Sequence, residues 1–242
     1  MNITINDDLC LKDKLLNDKK IFSNMEAYAS QNKTHGPIGW VRMFEQKDKN
    51  SEKKLFFEGH NMVVAQGRAF VAQKIFNFAS GQNDWRNYKI SHFAVGAGGA
   101  SVSNDNVTML GPMVCDTSLY KPIGLNSTHN EPGAYDNSAL ADEYKDIYTS
   151  IGAVKPIDSL ELVAEDYQET NSSCSALSRM KCTCTVESGE PSALPTDGYV
   201  PISEAGLYFV YGTDARMFAH VCFAPKFKEL DSILTIEWFI LC

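Results

Sequence analysis

The chain has 242 residues, of which 44% are hydrophobic and 21% charged, and carries a formal net charge of −8 at pH 7. That balance excludes global disorder, and the acidic excess argues against a protein that coats nucleic acid, because phosphate-backbone affinity comes from many Lys and Arg contacts that displace counterions. No run approaches the ~20 consecutive apolar residues that cross a bilayer, and the N-terminus MNITINDDLCLKDKLLNDKK lacks the apolar core of a secretory signal.

Neither a nucleic-acid nor a membrane partner is therefore expected, and the chain is expected to fold in a cytoplasm. Its seven cysteines, Cys10, Cys115, Cys174, Cys182, Cys184, Cys222 and Cys242, are an odd number scattered over a long chain. They do not resemble a secreted disulfide framework and are expected to be mostly free thiols.

Residues Met1 to about Lys33 are polar and rich in Lys, Asp and Asn, with a short helical stretch predicted around Leu15 to Ala29. Residues 1–38 read as an N-terminal arm or peripheral segment, of the kind that docks on a neighbouring subunit. Residues 39–242 form the main domain. There, GWVRMFEQ and KLFFEGHNMVV are strand candidates on either side of the charge run Lys47 to Lys54, a hairpin with a solvated tip.

In AQGRAFVAQKIFNFA, Val71, Ile75 and Phe78 recur at i, i+4 and i+7, flanked by Ala72, Phe76 and Ala79. This predicts the one strong amphipathic helix of the chain, with that stripe as its apolar face. KISHFAVGAGGAS reads as a strand, Ile90 to Val95, that ends in a Gly-rich turn.

A long, irregular, loop-rich insertion follows at about 104–170, punctuated by Pro112, Pro122, Pro132 and Pro156, with a short helix near Ser138 to Tyr148. Loops of this length usually bind or assemble. ALSRMKCTCTVES resumes the strand pattern, and the last forty or so residues read as three strands on a meander. In the last of these, Leu234, Ile236, Trp238 and Ile240 fall on one face and Thr235 and Glu237 on the other, the signature of a strand buried on one side. Strands from both ends of the sequence imply a mainly β fold: an antiparallel β-sandwich with one packed amphipathic helix and the long insertion.

The chemistry-bearing residues do not assemble into a known constellation. GAGGAS, Gly96 to Ser101, has the look of a phosphate loop, but no Lys-Ser/Thr pair and no helix follows it, so its glycines are read as the exit from a strand. Cys174, Cys182 and Cys184 lack zinc-finger spacing, and a metal there would need His220 or Cys222 as a further ligand. Small buried side chains in a sheet are the favoured reading.

His35, His60, His92, His129 and His220 are dispersed, and no nucleophile elbow occurs. Loop carboxylates such as Asp136, Asp142, Glu143 and Asp146 leave a glycosidase unsupported. No catalytic residue, no cofactor site and no metal site is expected. Trp85, Tyr88, Tyr120, Tyr135 and Tyr144 supply an alternative, a receptor- or carbohydrate-binding module with a shallow loop-borne site.

Three blocks in order carry a resemblance: FEGHNMVVAQGRAFVAQKIF; then ISHFAVGAGG; then ISEAGLYF with MFAHVCFAPKFKELDSILTIEWFI. The second is similar to an I-T-H-x-A-x-G-x-G strand and turn, and the third to an E-A-G-L-F … R-x-x-F-P-P-x-x-K … L-x-I-x-W-x-I ending. Both patterns occur in tailed-bacteriophage virion structural proteins of the tail, collar and tail-fibre-attachment type. The blocks cover roughly half the chain, which departs from the pattern at Ala224, where a proline is usual, and in its longer insertion.

The resemblance implies a non-enzymatic virion subunit at the neck, collar, tail or baseplate, homo-oligomeric and in contact with other virion structural proteins.

Overall fold

The computed structural model describes residues 18, 20–28, 31, 37–79, 84–103, 106–123, 154–162, 179–190, 199–212, 214–229 and 231–241. The hairpin after Gly39 forms as its pattern predicts, from β1 (Ile38–Gln46) and β2 (Lys54–Val63). Its charged tip is a turn in which Asp48 Oδ1 accepts from Asn50 N–H and Ser51 Oγ accepts from Asp48 N–H, the side-chain-to-backbone bonding that lets Asp and Ser end strands.

Ahead of the hairpin, residues 20–28 form helix α1. Helix α2 (Ala65–Phe76) follows it and ends at Asn77 in the left-handed conformation. The remaining strands are β3 (Lys89–Gly96), β4 (Ala100–Ser103), β5 (Asn106–Met109), β6 (Pro122–Ile123), β7 (Lys155–Pro156), β8 (Ser159–Leu162), β9 (Arg179–Val186), β10 (Tyr199–Tyr211), β11 (Asp214–Glu229) and β12 (Ile233–Leu241).

Ten strands join one antiparallel sheet, ordered β6-β3-β10-β11-β2-β1-β12-β9-β8 with β7 also on β3, while β4 and β5 pair separately. The sheet curls on itself, so that both ends of the strand order contribute to one core. Phe93, Leu207, Phe209 and Phe218 from one half meet Val41, Cys184, Ile236 and Trp238 from the other. The fold is thus mainly β and antiparallel, as the alternation predicts.

The last three strands are not a simple meander. β10 and β11 form a hairpin, but β12 crosses past β2 and β1 to lie between β1 and β9. Consecutive strands of matched pattern are consistent with either pairing, and only the partners decide between them.

β12 is also buried on both faces. Leu234, Ile236, Trp238 and Ile240 point into the main core, and Phe239 and Leu241 into a second cluster with Ile21, Phe22 and Met25 of α1. The N-terminal helix therefore packs on its own sheet. A buried ion network fixes it there. Arg42 donates to Asp18 and to Glu237, both at 2.7 Å, and Lys181, 1% exposed at its side chain, sits 2.9 Å from Asp18 and 3.1 Å from Glu237.

Helix α2 presents a different face from the one its apolar period suggests. Gly67, Phe70 and Gln73 are buried, whereas Ile75 and Phe76 are 67% and 73% exposed and Phe78 is also exposed. Gly67 decides the matter, since a Cβ there would collide with the carbonyl oxygen of Phe218, and the helix makes its closest approach to β11 at that point. Phe70 then stacks on Phe209 at 4.5 Å, and Gln73 is held inside because Oε1 accepts from Trp85 N–H. Val71 packs at the core margin.

The insertion at 104–170 is more ordered than its composition suggests, with β5 to β8 among its described residues. β6 and β7 pair with β3, and β8 pairs with β9. Strands of two to four residues are too short to show alternation. The helix expected near Ser138 to Tyr148 lies outside the described residues.

Candidate functional site

The β10–β11 hairpin places its polar residues on the face turned away from the main core. Ala205, Ala219, Val221 and Phe223 point inward, and the antiparallel register sets Cys222 opposite Glu204 and His220 opposite Gly206. Glu204, His220 and Cys222 thereby share the outer face, where residues 113–121 cover them. Leu119 seals one side in a cluster with Tyr208 and Met217.

His220 and Glu204 are both fully buried. His220 Nδ1 lies 2.8 Å from Asp116 Oδ2 and Nε2 lies 3.0 Å from Glu204 Oε2, with Cys222 Sγ 3.7 Å from the same nitrogen. Carboxylates only accept, so hydrogen bonding on both sides requires a proton on each ring nitrogen. Burial by itself would depress the imidazole pKa, but the contacts with Cys222 and Glu204 outweigh it and lift it from 6.5 to about 10. The ring is an imidazolium held between two carboxylates. Tyr120 packs edge-on against it at 4.9 Å.

The outer carboxylates are held in turn. Asp116 Oδ2 accepts from Met113 N–H at 2.7 Å and from the Tyr120 hydroxyl at 3.1 Å. Burial, then the Asp116 hydrogen bond, pushes the Tyr120 phenol up. Glu204 Oε1 accepts from Gly98 N–H at 2.9 Å and Lys121 N–H at 2.7 Å, and Oε2 accepts from Tyr120 N–H at 2.9 Å.

The Gly-rich turn thus gives one donor, the Gly98 N–H, to a carboxylate of the same chain, and Tyr120 and Lys121 supply the other backbone donors. A Cβ on Gly96 would strike Glu204 and Lys121, and one on Gly99 would strike the Ser203 carbonyl, so the turn can close around Glu204 only as glycine. The sequence reading saw a strand exit here and missed the ligand. The signal was the Glu in ISEAGLYF, whose partner becomes visible only once β3 and β10 are known to pair, Gly96 to Glu204.

The other candidates do not converge. Cys182 and Cys184 are buried in the main core with Trp238 and Ile236, on the far side of the sheet from Cys222. Burial pushes the Cys182 thiol up to about 12 and the Cys184 thiol well above its usual value, so both act as small apolar groups. Cys174 lies outside the described residues, and Cys115 is exposed.

His60 sits between the Tyr28 and Trp40 rings, and His92 Nδ1 lies 2.8 Å from Ser91 Oγ; burial depresses both imidazoles. Trp85 and Tyr88 pack on Phe209, while Tyr120 belongs to the His220 site, so these three do not form a common platform. His35, His129, Tyr135, Tyr144, Asp136, Asp142, Glu143 and Asp146 lie outside the described residues.

No protein family, curated protein or solved structure matches the chain. Among the described residues no helix is long and apolar enough to cross a membrane.

In this arrangement both ring nitrogens and both Glu204 oxygens are hydrogen-bonded, which ties residues 113–121 to the β10–β11 hairpin.

Proposed function

We propose that the chain is a non-enzymatic structural subunit of a tailed-bacteriophage virion, a neck/collar, tail or baseplate connector or accessory protein that assembles in multiple copies with other virion proteins. The observation that carries this reading is the interlocking of the three resembling blocks. Glu204, from the third block, is bound by the Gly98 N–H of the second. The first block brings Gly67 of α2 against Phe218 of the third. Segments more than a hundred residues apart thus form one body around shared contacts.

The surface supports assembly. Val107, Met109, Leu110, Met113 and Val114 are all exposed along β5 and the segment after it, a run of apolar side chains of the kind that marks an interaction site. Among the described residues β8 lies at the edge of the sheet and exposes Leu160 and Leu162, the kind of edge on which a neighbour can add.

Electron microscopy of the purified protein, together with its parent particle, tests the reading. Rings of the isolated chain, or density for this fold at a fixed radial position, are expected. A monomer at all concentrations that is absent from purified particles would overturn it.

A further inference from the structure

A Glu204 carboxylate oxygen, a His220 ring nitrogen and Cys222 Sγ lie within 4.8 Å of one another, and we propose that they bind a zinc-class divalent cation on the outer face of the β10–β11 hairpin, beneath residues 113–121. This inference goes beyond the virion reading and does not rest on it.

Three features carry it. The first is the donor set. A carboxylate oxygen, an imidazole nitrogen and a sulfur together suit zinc, whereas calcium and magnesium take oxygen ligands. The second is spacing. Zinc bond lengths put tetrahedral ligand atoms about 3.3–3.6 Å apart, against 3.0 Å for Nε2 to Oε2 and 3.7 Å for Nε2 to Sγ. The closing movement falls to Cys222, the ligand that is not fully buried.

The third is the surrounding shell. Asp116 accepts a hydrogen bond from His220 Nδ1, which aims Nε2 at the other two ligands, the arrangement that metal-bound imidazoles normally have. Backbone N–H groups of Gly98, Tyr120 and Lys121 fix Glu204 in the same way.

Three protein ligands leave one of the four tetrahedral positions for water or another ligand.

The full chain, stripped with a chelator and dialysed, is titrated with Zn²⁺ alone by calorimetry and with Co²⁺ by absorption. One equivalent of Zn²⁺ is expected to bind with proton release, and Co²⁺ to give a thiolate charge-transfer band in the near ultraviolet. Cys222→Ser should abolish that band and weaken Zn²⁺ binding at least tenfold. Asp116→Asn should keep the band and weaken binding about 10–100-fold. Cys115→Ser should change neither.

Alkylation of the unmutated chain, mapped by mass spectrometry, decides the question even if a variant misfolds. Zn²⁺ should slow modification of Cys222 but not of exposed Cys115. Substoichiometric binding, a band that survives Cys222→Ser, or equal alkylation rates with and without Zn²⁺ would each overturn the site.

Discussion

Glu204 is the residue on which the outer face of the hairpin turns. Its carboxylate collects N–H donors from Gly98, Tyr120 and Lys121 as well as His220. Glu204→Gln would set an NH₂ group against N–H donors and leave His220 with only Asp116. Removing one member of a buried charge pair typically costs about 3–5 kcal/mol, and urea denaturation should show a loss of that order.

Lys228 gives a pH signature of its own. It is buried, and donates to the carbonyls of Ser232 and Glu229. Desolvation lowers its pKa from 10.5 to about 8, against the opposing pull of Glu190, Asp231, Glu45 and Glu187. Between about pH 8 and 10.5 the unfolded chain holds a proton there that the folded chain has released, so raising the pH through that window favours the fold. The stability of the natural chain relative to Lys228→Met should rise across it. A flat difference in paired denaturation curves would refute the assignment.

At the scale of elements, placement follows from close approach as much as from hydrophobic pattern. Gly67→Ala would ordinarily favour a helix by about 1 kcal/mol. Here the added methyl meets the Phe218 carbonyl, and overpacking of this kind costs about 1–3 kcal/mol. Gly111→Ala, with open space around it, should be nearly silent in the same thermal melts.

Deleting the final ten residues removes all of β12, and with it Leu234, Ile236, Trp238 and Ile240 from the core. At about 1.5–3 kcal/mol for each large side chain, no cooperative melt should survive. The strands themselves were legible wherever alternation ran for eight residues or more, as in β1, β2, β3, β9 and β12. The buried face of α2 was not, because Val71, Ile75 and Phe78 satisfy the period as well as Phe70 does, and a glycine carries no hydrophobic signal. Nor was the Asp116–His220–Glu204 cluster, whose members lie on separate segments and meet through the register of β10 and β11 and the fold of residues 113–121 over them.

For the molecule as a whole, the apolar run on β5 and the segment after it is where assembly should be most easily disturbed. Val107→Asp with Met109→Asp touches exposed side chains, so the melting temperature should stay close to that of the natural chain while sedimentation shifts to smaller species. Unaltered sedimentation would place the contacts elsewhere.

The position of β12 also bears on how the chain is made. It leaves the ribosome after every other described strand, yet it lies in the interior of the strand order, with β1 on one side and β9 on the other. Until translation reaches it, the β1–β2 hairpin and the β8–β9 pair have no strand to join them, and each keeps an open inner edge. Closure is then a late, long-range event of the slow kind that non-local sheets impose. Until then each open inner edge is a template on which another nascent chain can pair.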